Sequence, residues 1–153
     1  MCAILDADIA HEAFGFNRTS AGDQFRRWID SGRGQLVVGG SKMKKELYQN
    51  GHFKEWLSEA QRSPRVRFVN DESVNTRTTK LEDAGVCRSN DKHVIALAQE
   101  SRARLLYSRD CMLKKDFGNP QLIKDPGGVI YPRTHRPKGG HLQWLINHGD
   151  LCR

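Results

Sequence analysis

CAILDADI, residues 2–9, is an apolar run that ends on two carboxylates, Asp6 and Asp8. Its apolar part, residues 3–5, is typical of a short buried strand. A strand end that simply meets solvent would explain one acid. Two acids at one strand end raise the question of whether acids from distant parts of the chain converge on the same place.

Apolar runs that predict strands alternate along the chain with segments of helical periodicity. This alternation predicts an α/β fold, a three-layer α/β/α sandwich with a central, mostly parallel sheet. Because right-handed crossovers bring the C-terminal ends of parallel strands to one edge, we expect a functional site at that edge. After the first strand, further strands are predicted at 35–40, 65–69, 103–108 and 121–123, and helices at 8–15, 21–31, 42–49, 52–61, 71–84, 91–101 and 110–117.

The length and the C-terminal sequence indicate one domain with an extension. A chain of 153 residues is long enough for one hydrophobic core and short for two. We assign the domain to residues 1–125. Residues 126–141, PGGVIYPRTHRPKGGH, contain three prolines and four glycines. We therefore expect 126–153 to form a basic extension that packs on the domain or extends from it.

The chain is basic, with 25 Lys and Arg against 18 Asp and Glu and a net charge of +7. Such a surplus favours polyanionic partners such as nucleic acid. No apolar run approaches the roughly 20 residues that cross a bilayer. The N-terminus turns acidic at once and lacks the basic region of a secretory signal. We therefore expect no membrane association and a cytoplasmic location.

The four cysteines are Cys2, Cys87, Cys111 and Cys152. They show neither C-x-x-C pairing nor the spacing of a zinc site. We interpret them as free thiols of a reducing compartment, and the sequence leaves a single disulfide open.

Four acids occupy ordered places in the predicted elements: Asp6, Glu46, Asp91 and Asp110. Each has an ordinary explanation by itself. Asp91 could favour its helix by opposing the helix dipole, Glu46 could pair with neighbouring lysines, and Asp110 could cap the helix that follows it. Their joint placement at element ends, inside a basic chain, favours a shared role.

The segments that carry these acids resemble the four motifs of the PIN-domain family, the VapC-like metal-dependent ribonucleases. AILDADI is similar to the first strand of that family, which ends in Asp-x-Asn/Asp, and SKMKKELY to its second motif, a helical glutamate followed by leucine. SNDKHVIALAQE is similar to the third motif, and LLYSRDCMLKKDF to the fourth. Order and spacing match over about residues 2–124.

The resemblance implies a Mg²⁺- or Mn²⁺-dependent endoribonuclease that hydrolyses RNA phosphodiester bonds, such as the toxin of a toxin–antitoxin pair. Residue by residue, it implies that the catalytic and metal-binding acids are Asp6, Glu46, Asp91 and Asp110. It implies supporting roles for Asp8, Ser108 and Asp116. Candidate partners are RNA or another nucleic acid, an antitoxin protein and a second copy of the chain.

The chemistry of such a site is consistent with these residue types. Clustered carboxylates repel one another and raise one another's pKa values, unless divalent cations lie between them. Their hard oxygens suit Mg²⁺ or Mn²⁺, and no Cys/His set competes for the metal. An acidic pocket also repels phosphate, so basic residues must hold the nucleic-acid backbone. The candidates for this role are Lys92, Arg109, Arg133 and Arg136.

Three other interpretations stay open. A catalytically inactive PIN-like module could bind RNA or act as a scaffold, and a nuclease of this type could act on DNA. A receiver-like domain also gathers acids at strand ends. It would require adjacent acids after the first strand and an acceptor aspartate after the third, which LDADIA and RFVNDE supply poorly.

Overall fold

A sheet of five parallel strands forms the centre of the computed structural model, which describes residues 2–132 and 136–148. The strand order is β3-β2-β1-β4-β5. All neighbouring pairs are parallel, so the predicted α/β fold with a parallel sheet is confirmed. The strands are β1 Cys2–Leu5, β2 Gln35–Gly39, β3 Val66–Val69, β4 Leu105–Tyr107 and β5 Val129–Tyr131.

Helices flank the sheet in two groups. The helices α1, α2 and α8 pack together with α4, while α5 packs on α6, and α6 contacts β2 and β3. A single 3₁₀ turn, Ala7–Ile9, joins β1 to α1. The helices are α1 Ala10–Phe14, α2 Ser20–Asp30, α3 Ser41–Leu47, α4 Gly51–Ala60, α5 Asp71–Ala84, α6 Lys92–Ser101, α7 Cys111–Phe117 and α8 Gly140–His148.

The opening strand is the central strand of the sheet. All four residues of β1 are buried, and it pairs with β2 on one side and with β4 on the other. The Asp6 N–H extends the ladder by donating to the Tyr107 carbonyl at 2.9 Å. Asp6 therefore lies in the middle of the C-terminal edge of the sheet, the place where parallel α/β sheets carry their sites.

The last strand differs from its prediction. Residues 121–123 form a turn, and the fifth strand is Val129–Tyr131, paired with Leu105–Tyr107. Leu122 and Ile123 are buried, which explains their apolar signal, since a three-residue run does not distinguish a strand from a buried turn. The glycine- and proline-rich segment thus supplies the edge strand, and α8 packs on α2.

The cysteines also differ in part from expectation. Cys87 and Cys111 are free, as expected, whereas Cys2 is disulfide-bonded, so its interpretation as a free thiol is wrong. Disulfide partners are set by tertiary proximity, which the spacing of cysteines does not reveal. Cys152 lies outside the described residues. In the described part of the chain, no helix is both long and apolar enough to span a membrane.

Candidate active site

Asp6 is fixed at the centre of the sheet edge by two hydrogen bonds. Its Oδ1 accepts from the Asp8 N–H at 3.1 Å, and its Oδ2 accepts from the Ser108 hydroxyl at 2.6 Å. The side chain is buried. Burial raises the pKa of the Asp6 carboxyl; both hydrogen bonds oppose this, the charges of Asp8 and Asp91 add to it, and the net shift is upward.

Asp91 comes to the same edge from the start of α6. Its carboxylate makes no capping hydrogen bond to that helix, so the helix cap does not account for it. The backbone is held instead, since the Asp91 N–H donates to Ser89 Oγ at 2.9 Å. Burial raises the pKa of the Asp91 carboxyl, and the charges of Asp8 and Glu46 add to that effect, against His93 and the Lys42 ammonium.

Glu46 reaches the edge from α3 and is held by a histidine of α6. Its Oε2 lies 3.1 Å from His93 Nε2, and its Oε1 lies 4.0 Å from the exposed Lys42 ammonium. Burial raises the pKa of the Glu46 carboxyl, with Lys42 opposing and Asp8 contributing. Burial lowers the pKa of His93 to about 4, so the imidazole is neutral near pH 7 and donates to Glu46 when Nε2 carries its proton.

Asp8 is exposed, yet its charge raises the pKa of Asp6, Glu46 and Asp91 alike. It therefore lies among them. The acid cluster of this edge consists of Asp6, Asp8, Glu46 and Asp91. The resemblance gave Asp8 only a supporting role, whereas its position makes it a charged neighbour of Asp6, Glu46 and Asp91.

Asp110 lies beside this cluster and is linked to Asp6 through the hydroxyl of Ser108. Its Oδ1 caps α7 by accepting from the Leu113 N–H at 2.6 Å, and its own N–H donates to Ser108 Oγ at 3.1 Å. Ser108 thereby joins the Asp110 backbone to the Asp6 carboxylate. No hydrogen bond or ion pair within residues 2–132 and 136–148 connects the Asp110 carboxylate to the other predicted acids.

The cluster matches a hard divalent cation in its chemistry. All its donors are carboxylate oxygens, three of the acids have raised pKa values, and the Asp91 carboxylate is free of the capping bond. As the side chains of the described residues stand, no three His, Cys, Asp or Glu groups are close enough to hold one ion. Mutual repulsion between carboxylates favours such a spread arrangement.

Asp116 does not reach the acid cluster and holds the loop before Asp91. It is fully buried. Its Oδ1 accepts from the Arg88 N–H at 3.0 Å and its Oδ2 from the Ser89 N–H at 2.7 Å. The Ser89 hydroxyl in turn accepts from the Asp91 N–H. Asp116 therefore positions Asp91 through Ser89.

The predicted nucleic-acid contacts are dispersed. Lys92 donates to the Ser89 carbonyl at 3.2 Å, in the loop that carries Asp91. Arg109 pairs with the buried Glu12 through Nε at 2.5 Å and Nη2 at 3.0 Å. Arg136 is exposed and lines a cleft with Ser20 of α2. Arg133 lies outside the described residues.

Glu12 is a site residue that the sequence did not reveal. It is buried on α1 and accepts from Arg109, from the Tyr107 hydroxyl and from Thr19 Oγ1 at 3.3 Å. Burial raises the pKa of the Glu12 carboxyl, but the hydrogen bonds from Arg109 and Tyr107 outweigh it and hold that pKa below its usual value. Because Arg109 lies between Ser108 and Asp110, this network fixes the loop that orients Asp6.

We expect Tyr107→Phe to destabilise the fold by about 1–3 kcal/mol at neutral pH, because the buried Glu12 carboxylate loses a donor. The folded-state pKa of Glu12 is depressed, so its contribution is present above the unfolded value of 4.5 and is lost as the pH falls through the lower folded value. The difference between wild type and variant should therefore be smaller at acid pH than at neutral pH.

Urea unfolding at both pH values measures this difference. Tyr48→Phe is the matched control, since the Tyr48 ring is more than a third exposed and its hydroxyl makes no hydrogen bond within the described part of the chain. A loss as large in Tyr48→Phe as in Tyr107→Phe would contradict the stabilising role of the Glu12 network.

Comparison with known proteins gives little beyond this geometry. No protein-family model matches the chain, and no curated protein matches it. The chain is similar to one chain in the crystal structure of VapBC2 from Rickettsia felis, which was solved bound to a DNA fragment from the VapBC2 promoter. The TM-score is 0.48 and the identity 16%, over 85% of this chain and 97% of that chain. A likeness of this extent carries no inference about function.

Proposed function

We propose that this protein is a nuclease that hydrolyses phosphodiester bonds in RNA with Mg²⁺ or Mn²⁺ held by its acid cluster. One observation carries the proposal: four acids from three separate segments of the chain lie near one another at the C-terminal edge of the sheet, and burial together with the charges of neighbouring acids raises the pKa of three of them. Such an arrangement costs stability when empty and is relieved by a divalent cation.

Asp6, Glu46 and Asp91 would hold the cation, with Asp8 beside them and Asp110 as a further candidate through its uncapped oxygen. When bound, the cation would neutralise charge on the phosphate and lower the pKa of a bound water. The chain itself orients the donors. Ser108 fixes Asp6, Ser89 and Asp116 fix the backbone of Asp91, and neutral His93 holds Glu46 Oε2.

The substrate class is supported by charge. A net charge of +7 around an acidic edge suits a polyanion whose phosphate meets the cation and whose flanks meet lysines and arginines. The choice of RNA over DNA, and the role of a toxin with an antitoxin partner, rest on the resemblance of the four sequence motifs to VapC-like ribonucleases. An adjacent small reading frame would support the antitoxin partner.

Cleavage of end-labelled single-stranded RNA tests the proposal, with DNA of the same sequence in parallel. We expect cleavage of RNA with Mn²⁺ and none with EDTA. Cleavage that persists in EDTA would overturn the metal-dependent mechanism. Binding of RNA by a folded wild-type chain that never cleaves would favour the inactive RNA-binding module, and cleavage of DNA alone would favour the DNA-directed nuclease.

We expect Mn²⁺ at about 100 times its Kd to stabilise the fold by about 2.7 kcal/mol, because a ligand that binds only the native state shifts the unfolding equilibrium. For a chain of this size each kcal/mol raises Tm by about 2–4 °C. Asp91→Asn should lose this response. Thermal unfolding with and without Mn²⁺ measures both.

The same variant should be more stable than wild type without a cation. The folded pKa of Asp91 is raised, so this carboxyl favours the fold below its unfolded pKa, and that contribution is lost as the pH rises through the folded value. Removing its charge at neutral pH therefore removes a destabilising term. Asp83 is an exposed acid of α5, and Asp83→Asn is the control. It should leave the Tm unchanged both with and without Mn²⁺. Equal Mn²⁺ responses in wild type and Asp91→Asn would contradict the cation site.

The positions of Asp8 and Asp110 lead to a ranking. Asp8 lies within the acid cluster and Asp110 is engaged as a helix cap, so we expect Asp8→Asn to slow single-turnover cleavage more than Asp110→Asn, by about tenfold or more. Asp110→Asn retains the side-chain oxygen that caps α7. The opposite ranking would restore the roles that the sequence motifs imply.

A further inference from the structure

A second charged surface includes Arg88, which belongs to the same loop as Asp91. An open cleft of about 580 Å³ is lined by Arg88, Lys114, Lys115, Asp116, Gly118, Asn119 and Gln121. We call this set the basic cleft. Lys114 and Lys115 lie in the segment LLYSRDCMLKKDF, but the resemblance assigns no role to these lysines or to Arg88, and the proposed mechanism does not use them.

The cations of the basic cleft have no ion-pair partner among the described residues. Several arginines elsewhere on the protein are paired, as Arg18 and Arg27 are with Asp23 and Arg77 is with Glu100. Within the described residues, Arg88, Lys114 and Lys115 make no ion pair. The acid in the cleft wall is Asp116, which is buried and whose two oxygens accept the Arg88 and Ser89 N–H groups. The cleft therefore holds three cations and one carboxylate, an excess of two positive charges.

The arrangement is more than a charged helix end. Lys114 and Lys115 lie in the last turn of α7, where cations interact favourably with the negative end of the helix dipole. Arg88 comes from a different segment, the loop before α6, and brings its charge to the same cleft. Asn119 Oδ1 accepts from the Gln121 N–H at 2.9 Å, which leaves the Asn119 Nδ2 group as a donor. Cations and amide donors around one opening are the groups that bind phosphate oxygens.

The basic cleft is coupled to the acid cluster by a short chain of hydrogen bonds. Asp116 in the cleft wall holds Ser89, and Ser89 holds the backbone of Asp91. Arg88 is three residues before Asp91, so their Cα atoms are at most about 11 Å apart, which is within the reach of neighbouring phosphates of one strand. We propose that the basic cleft binds a backbone phosphate of a single-stranded nucleic acid next to the cleavage site. This inference rests on the function proposed above and adds the residues that hold the substrate.

The test compares two triple variants with equal charge loss. The first replaces Arg88, Lys114 and Lys115 with Gln. The control replaces Arg33, Lys54 and Arg62, which are exposed and lie outside the cleft. Both are made in the Asp91→Asn background, in which we expect cleavage to be at least about a hundredfold slower. Fluorescence anisotropy with a labelled single-stranded oligoribonucleotide, over a series of salt concentrations, gives the affinity and its salt dependence.

We expect the cleft variant to bind at least about tenfold more weakly at low salt. The slope of log K against log salt should fall by about 2, since each contact to a single strand contributes about 0.7. Lys115→Gln alone, an exposed residue whose replacement leaves the packing intact, should lower the slope by about 0.7. The control should keep the wild-type slope.

The outcomes separate this inference from the proposed function. An unchanged slope in the cleft variant, or no binding of the oligoribonucleotide by the parent, overturns the cleft whatever the wild type cleaves. A reduced slope with no cleavage by the wild type supports the cleft and overturns the nuclease. The cleft variant is also tested with a polyglutamate peptide of the same charge as the oligoribonucleotide. If its affinity for this peptide falls as much as its affinity for the oligoribonucleotide, the assignment to phosphate is overturned, because the cleft then binds carboxylates equally well.

Discussion

Asp6→Asn and Asp91→Asn will each slow Mn²⁺-dependent RNA cleavage by at least about a hundredfold, the effect expected when a group that acts on the transition-state charge is removed. Both substitutions keep the shape of the side chain and remove its charge. At position 6 the amide oxygen can still accept from the Asp8 N–H, and the Ser108 hydroxyl can rotate to accept from the amide nitrogen. The fold should therefore survive.

Single-turnover cleavage at saturating protein separates this effect from weaker RNA binding. Asp83→Asn, an exposed acid on α5, is the control and should cleave at the wild-type rate. Circular dichroism melting shows whether each variant is folded. Folded Asp6→Asn and Asp91→Asn proteins that both retain wild-type rates would contradict a catalytic role for the acid cluster.

The sequence placed a candidate residue best where the neighbouring strand or helix could be predicted from local sequence. The β1 run and the alternation of elements were sufficient to place Asp6 at the C-terminal edge of a parallel sheet. Asp91 could be singled out by its position before an apolar helix, although only the structure shows that its carboxylate makes no capping bond. For Asp110, the sequence also allowed a role as a helix cap. In the structure its Oδ1 caps α7 by accepting from the Leu113 N–H.

The missed residues depend on contacts between distant segments. His93 reads as part of the buried face of α6, and its bond to Glu46 joins residues 47 positions apart. Glu12 lies in a short amphipathic stretch, and its partner Arg109 is 97 positions away. The β5 strand is only three residues long and is flanked by glycine and proline, so its sequence shows no hydrophobic periodicity that would predict a strand. Such partners follow from the fold and have no local pattern.

Asp116→Ala will destabilise the fold by about 2–5 kcal/mol, because it removes the acceptor of two backbone N–H groups, and an unsatisfied buried donor costs about 1–3 kcal/mol. The Asp116 carboxylate is 1% exposed and accepts from Arg88 and Ser89 at 3.0 and 2.7 Å. Because Ser89 then holds Asp91, we also expect slower cleavage. Asp116→Asn keeps one acceptor oxygen and should lie between wild type and Asp116→Ala in stability.

The response to Mn²⁺ distinguishes a positioning residue from a metal ligand. If Asp116 acts only through Ser89 and Asp91, Asp116→Ala should unfold at a lower temperature yet still gain stability from Mn²⁺. Asp91→Asn should show the reverse, a fold at least as stable as wild type that no longer responds to the cation. A variant at position 116 with wild-type stability and no Mn²⁺ response would make Asp116 a ligand, and the acid cluster would then extend across the loop to the wall of the basic cleft.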